Sequence, residues 1–205
     1  CRFRFPAPVA IAEDAACPFC RGPAPVVSVL FGGERIAQPG GRFGGPPVEV
    51  LLDNLRSSYN VGSILRTCDG AGVRHAHLCG ITSTPDQMKV AKTALGADQS
   101  VPWTYHRNGL DTVINLKDDG YSIWSLENRG DTQFLFDISP EEVVDPVILV
   151  VGNELAGIDP DILAESDRVV SLPMFGSKQS LNAVVAFGAA IYWLRSGTMP
   201  IGPPL

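Results

Sequence analysis

The chain has 205 residues, 45 % of them hydrophobic and 19 % charged, with a formal net charge of −6. That composition fills a core and excludes a disordered or low-complexity chain, while the longest apolar run, Ala183 to Leu194, is too short to span a bilayer. The net acidity speaks against a broad non-specific nucleic-acid surface but leaves room for a local basic groove.

The N-terminal arm, residues 1–31, contains Pro6, Pro8, Pro18, Pro23 and Pro25 and shows no helical pattern. Residues 1–50 carry five arginines against four acids, whereas the remainder carries 11 basic against 18 acidic residues. Cys17-Pro18-Phe19-Cys20 is half of a zinc-ribbon signal, with Cys1 as a possible third ligand. The chain opens on Cys1 rather than Met, so a fourth ligand is expected upstream. The alternative is a Pro-rich arm whose thiols bind nothing. Arg2, Phe3, Arg4 and Phe5 interleave basic and aromatic groups, a pattern that suits RNA. Residues 32–47 hold six Gly and three Pro and read as a linker.

Regular structure is predicted from Val48. Val48–Leu52 reads as a strand, and Asn60–Ala71 as a helix with Val61, Ile64, Leu65 and Cys68 on its apolar face. Arg74–Cys79 is a strand, Pro85–Leu95 a helix, Val101–Tyr105 a strand, Asn108–Leu116 a helix and Tyr121–Leu126 a strand. Val147–Val151 is an unbroken apolar run, typical of a strand buried on both faces. Pro160–Glu165 reads as a short helix, Arg168–Leu172 as a strand and Ser180–Arg195 as a long apolar helix. Such alternation implies an α/β domain over 48–198 with a mainly parallel sheet and helices on both faces. Residues 199–205 form a tail.

The chain has no G-x-G-x-x-G and no P-loop, so a dinucleotide fold is not supported. Three polar clusters instead interrupt the apolar pattern at strand ends, where α/β sheets bind ligands. The first runs from Asp53 to Val73, with Arg56, Asn60 and Arg66. Asn60 stands where an N-cap is expected, and Arg66 lies inside the helix, where an ion pair would also account for it. The second is Val151-Gly152-Asn153-Glu154-Leu155-Ala156-Gly157. Its glycines permit close backbone approach to a ligand, and Glu154 either faces that ligand or accepts loop amides. The third is Leu172-Pro173-Met174-Phe175-Gly176, followed by Gln179-Ser180-Leu181-Asn182. Ser180 is placed to cap the last helix, and Asn182 sits in its first turn.

Together these clusters resemble the three motifs of the SpoU (TrmH-like) RNA 2′-O-ribose methyltransferases of the SPOUT class. Asn54, Arg56, Asn60, Gly62, Ile64, Arg66 and Thr67 match the first; Gly152, Glu154 and Gly157 the second; Leu172-Pro173-Met174-Phe175-Gly176 and Ser180-Leu181-Asn182 the third. Lys178-Gln179 departs from the usual apolar pair. The resemblance covers about 48–195. It implies a C-terminal trefoil knot, S-adenosylmethionine as cofactor, tRNA or rRNA as partner and a homodimer. It also implies catalytic roles for Arg66, Asn60, Glu154, Ser180 and Asn182. Cofactor contacts are implied for Val151, Gly152, Asn153, Glu154, Gly157, Leu172, Met174, Ser180, Leu181 and Asn182. Arg56 and Arg66, with Arg2 and Arg4, are the expected RNA contacts.

Two rival readings remain. One is an RNA-binding protein of the same fold that methylates nothing; the other is a SPOUT enzyme acting on a base nitrogen. His75 and His77 are expected to leave at least one ring in solvent, which argues against a metal pair, and His106 has no evident partner. Trp103, Trp124 and Trp193 read as core or dimer-interface residues. No secretory leader opens the chain, so a cytoplasmic location is expected.

Overall fold

The computed structural model describes residues 16–18, 20–24, 46–130 and 132–196. The chain divides into two units, 1–39 and 40–205. In the first, Cys17 N donates to Gly22 O (2.8 Å) and Arg21 N to Cys17 O (2.9 Å), a tight turn closed by an antiparallel bridge between Ala16 and Pro23. Cys17 is buried and Cys20 exposed. Cys1, Arg2 and Arg4 lie outside the described residues, and among the described residues no group of three or more ligating side chains could hold a metal ion.

The second unit runs β1 (Val48–Asp53), α1 (Ser58–Ala71), β2 (Ala76–Cys79), α2 (Met88–Ala94), α3 (Ala97–Ser100), β3 (Trp103–His106), α4 (Gly109–Asp118), β4 (Ser122–Leu126), β5 (Gln133–Phe134), β6 (Val147–Val151), α5 (Pro160–Glu165), β7 (Arg168–Ser171) and α6 (Ala183–Ser196). The strands form one parallel seven-stranded sheet in the order β3-β2-β1-β6-β4-β7-β5. Residues alternate between its faces. Val48, Val50 and Leu52 of β1 meet one core with Ile64, Leu65 and Cys68 of α1 and Phe187, Ile191 and Leu194 of α6. Leu51, Ile148 and Val150 meet the other with Val113 of α4 and Ile162 of α5. Both faces of β1 and β6 are therefore dry, which is why Val147–Val151 needs no polar alternation.

Three helix starts differ from expectation by two residues or more. The cap of α1 is Ser57, whose side chain accepts from Asn60 N (3.3 Å), so Asn60 lies in the first turn with its side chain released for other work. The last helix begins at Ala183 rather than Ser180, and Asn182 caps it by accepting from Val184 N at 2.9 Å. The helix over Pro85–Leu95 contracts to Met88–Ala94.

Of the histidines, His106 departs from expectation, whereas His75 is partly exposed as foreseen. His75 and His77 are two residues apart and so share one side of the strand. His77 is buried, with Nε2 3.0 Å from Glu49 Oε2 and Nδ1 3.1 Å from His106 Nε2. His75 Nε2 lies 2.8 Å from Thr104 Oγ1, and Tyr121 donates its hydroxyl to Glu49 Oε1 at 2.7 Å. His106 thus has a partner that sequence reading missed. Burial, and the neighbouring His77, push His75 and His106 below their ordinary 6.5. Burial alone would raise Glu49, but bonds from His77 and Tyr121 hold it below 4.5.

Both shifts work against acid. The depressed histidines bind protons more readily unfolded, so the stability they contribute above 6.5 is lost as pH falls through that value. The depressed Glu49 contributes above 4.5 and loses its contribution lower still. Urea midpoints are expected to drop in two stages on acidification, and His106→Asn to shrink the first stage. A single transition below 4.5, unchanged in that variant, would contradict this network.

Candidate functional site

The carboxyl ends of β4, β6 and β7 frame a cavity of about 350 Å³. Its walls include Val151, Gly152, Asn153, Glu154 and Gly157 after β6, Leu172 and Met174 after β7, and Ser180, Leu181 and Asn182 before α6. All ten residues expected at a cofactor site therefore line one space. Leu126, Glu127 and Asn128 at the end of β4 line it too, as does Ser171. Sequence reading missed these four, although the rule that ligands gather at strand ends applies equally to β4.

The loop after β6 is built by its own side chains. Asn153 Oδ1 accepts from Leu155 N (2.9 Å) and Ala156 N (3.0 Å), and its Nδ2 donates to Asn54 O at 2.7 Å. Asn153 and Gly157 exchange backbone bonds, N to O, at 3.0 and 2.9 Å. This closure gives the two glycines a packing reason as well, while both also line the cavity. A Cβ on Gly152 would overlap the backbone of Gly157 and Ile158, and Gly157 sits at φ +77 with Glu127 Oε2 against it. Glu127 Oε2 also accepts from Ile158 N at 3.0 Å, tying β4 to the loop.

Glu154 joins the second cluster to the first. Its Oε2 accepts from Arg56 N (2.9 Å), and its Oε1 from Ser57 N (3.1 Å) and Asn60 Nδ2 (2.8 Å). Burial would raise its carboxyl, but these bonds outweigh that and hold it below 4.5, so it is ionised near neutrality. Asn182 Nδ2 lies 3.5 Å from Asn60 Oδ1, which extends the chain Glu154–Asn60–Asn182 across all three clusters. Ser180 and Leu181 are exposed at the same mouth.

Arg66 is not among the residues that line the cavity, and it is exposed. It lies six residues beyond Asn60, about 9 Å along the helix and about 120° around it. It forms no ion pair or side-chain hydrogen bond with the described residues. Arg56 contributes its backbone to Glu154 and leaves its side chain exposed.

The sequence profile of the SpoU rRNA methylase family matches residues 47–192, the whole span in which these three clusters meet. The chain belongs to that family. It is 31 % identical over 147 residues to a tRNA (guanosine(18)-2′-O)-methyltransferase of Aquifex aeolicus, covering 70 % of this chain and 66 % of the relative. It is 32 % identical over 154 residues to a 23S rRNA (guanosine-2′-O-)-methyltransferase of Ralstonia nicotianae, covering 72 % and 58 %. The chain thus spans under two thirds of either relative. The SpoU methyltransferase AviRb from Streptomyces viridochromogenes, solved in complex with the cofactor AdoMet, superimposes with a TM-score of 0.66 at 28 % identity, covering 74 % of this chain and 58 % of that one.

The cavity of this SpoU chain fits such a cofactor on its own chemistry. Ser171 is 1 % exposed, and its Oγ has no hydrogen-bond partner among the described residues. An unsatisfied buried hydroxyl costs about 1–3 kcal/mol, so a polar ligand group in the cavity would relieve it. Leu172, Met174, Leu181 and Ala186 supply apolar walls beside the polar Asn128 and Asn153. The SpoU residues that would hold the cofactor are these, together with the backbone of Val151 and Gly152.

Proposed function

We propose that the chain uses S-adenosylmethionine to methylate a ribose 2′-hydroxyl of tRNA or rRNA, acting as a cytoplasmic homodimer. The observation that carries this reading is the bonded chain Glu154–Asn60–Asn182 at the mouth of a cavity with an orphaned hydroxyl. When bound, the cofactor supplies an activated methyl on a sulfonium. The protein's share is then mainly positioning. Glu154 fixes the amide plane of Asn60, and Asn60 and Asn182 orient the sugar. The activity named for these relatives, 2′-O-methylation, favours ribose over a base nitrogen. We also infer the trefoil knot of the family, with the 171–186 segment folded back on the loops after β4 and β6.

The dimer is supported by what one chain leaves uncovered. Helix α6 is the most apolar helix, yet Val185, Ala189 and Tyr192 are exposed at a spacing that puts them on one stripe. Tyr192 borders Gly70, which shares the face of α1 that carries Tyr59 and Arg66. A second subunit packed there would cover the stripe and bring Arg66 toward its partner's cavity. Arg66 then holds the phosphate beside the target and stabilises alkoxide charge as it develops.

Calorimetric titration with S-adenosylmethionine, followed by mapping of 2′-O-methyl groups in RNA treated with the protein, tests the proposal. Absence of binding heat would favour the RNA-binding reading without catalysis. Glu154→Gln is expected to lower kcat about 100-fold, because the new amide turns a donor toward donors and misplaces Asn60. The cofactor Kd should change little, and a fall in affinity with kcat intact would assign Glu154 to the cofactor instead.

A further inference from the structure

On the same rim, a second concavity of about 470 Å³ opens beside the edge strand β3. Trp103 and Tyr105 line it from β3, with Thr84 and Gln87 opposite on the approach to α2. The two rings are two residues apart and share one side of the strand. Trp103 rests against the core, while Tyr105 is 46 % exposed and its hydroxyl donates to Gly80 O at 2.9 Å, which fixes the ring across the end of β2. Gln87 is exposed, and its side chain makes no capping bond to α2. The groove thus offers two aromatic faces and an amide edge. The framing segments, 80–92 and 101–107, carry Lys89, Lys92 and Arg107 against the single acid Asp86, a reversal of the chain's overall sign.

This groove is tied to the site described above. Ile81 N donates to Asn54 Oδ1 (3.1 Å), Leu55 N to Thr82 Oγ1 (3.0 Å), and Ser58 Oγ lies 2.8 Å from Ser83 Oγ. The loop so held, 53–58, is the one whose amides grip Glu154. Strands β3, β2, β1 and β6 are consecutive, so the groove's aromatic residues and the Glu154 loop lie three strand spacings apart, about 14 Å. A single strand laid along the rim can engage both.

We propose that the Trp103–Tyr105 groove stacks an unpaired nucleobase of the RNA substrate, one that flanks the nucleotide at the Glu154–Asn60 site, with Lys89 and Arg107 beside its phosphates. This rests on the RNA reading above. Every base has a π-face, so stacking tolerates sequence while Gln87 reads an edge.

The test is titration of the full chain with a short unstructured RNA oligonucleotide, read by tryptophan fluorescence. RNA is expected to quench the wild type, and Trp103→Phe to remove most of the quench, since Trp103 is the tryptophan that lines the groove and Trp124 is buried. Tyr105→Leu is expected to weaken RNA binding about tenfold, the loss of one base–aromatic stack, and Tyr105→Phe to stay within about threefold. The same split should appear as a raised KM for RNA at unchanged kcat. S-adenosylmethionine affinity should be wild-type in all three variants, which reports on their folding. Failure of the wild type to bind the cofactor or methylate RNA sinks the reading above. Wild-type methylation with Tyr105→Leu binding RNA normally overturns the groove alone. Quenching by protein concentration without RNA would assign the groove to a second copy of the chain and also overturn it.

Discussion

Arg66→Lys is expected to lower kcat by about 100- to 1000-fold while leaving cofactor affinity unchanged. Lysine keeps the charge but lacks the planar fork that holds phosphate and alkoxide oxygens together. The side chain is exposed and without a polar partner among the described residues, so little stability should be lost with it. Its position away from Asn60 makes a sharper expectation possible. If Arg66 serves the neighbouring subunit's cavity, a heterodimer of Arg66→Lys and Glu154→Gln chains contains one intact composite site and one doubly impaired site. Mixed subunits should then recover about one quarter of wild-type activity on statistical pairing. If Arg66 serves its own cavity, each site in the heterodimer keeps one lesion and nothing is recovered. Absence of recovery in a verified heterodimer therefore removes the composite site.

The sheet was legible wherever burial was two-sided. Val147–Val151 announces itself because both of its faces meet apolar side chains. The two-residue strand Gln133–Phe134 and the four-residue helix Ala97–Ser100 are too short to carry a period, and neither was foreseen. At the site, the motif residues were legible as a set but not in their physical roles. Asn60 looked like a cap because it begins the apolar period, yet Ser57, three residues earlier, makes that bond and leaves the Asn60 amide to Glu154. Gly152 and Gly157 were legible as residues beside a ligand space, which they line, but not in their packing role against the loop's own backbone and Glu127. Glu127 and Ser171 carry no motif, and their placement follows from β4 lying between β6 and β7, an order the sequence does not encode locally. The Glu49–His77–His106 network was invisible for the same reason, since its members come from three strands.

Gly62→Ala is expected to destabilise the chain by about 2 kcal/mol, against the ordinary preference of a helix for alanine. Two effects compete at this position. In an isolated helix the change would stabilise by about 1 kcal/mol through propensity. In the fold, Gly62 lies where α1 meets α2, and a Cβ there would overlap Thr93 Oγ1 and the Val90 carbonyl oxygen and stand 3.0 Å from Ala94 N. Thr93 can rotate, but the other two atoms are backbone, so the helices must part. Overpacking of that kind costs about 1–3 kcal/mol, more where backbone must shift, and here it outweighs propensity. The separation also opens the core around Val61, Leu65, Val90 and Ala94, all fully buried. With a urea m-value of about 1–3 kcal/mol/M, the midpoint should fall by about 1 M. Gly70→Ala is the control on the same helix: its Cβ would meet only the Tyr192 hydroxyl, at 3.0 Å, the far end of a movable side chain. That variant is expected to hold or raise the midpoint. Equal midpoints for the two variants would mean that propensity, and not the close approach of α1 to α2, governs Gly62.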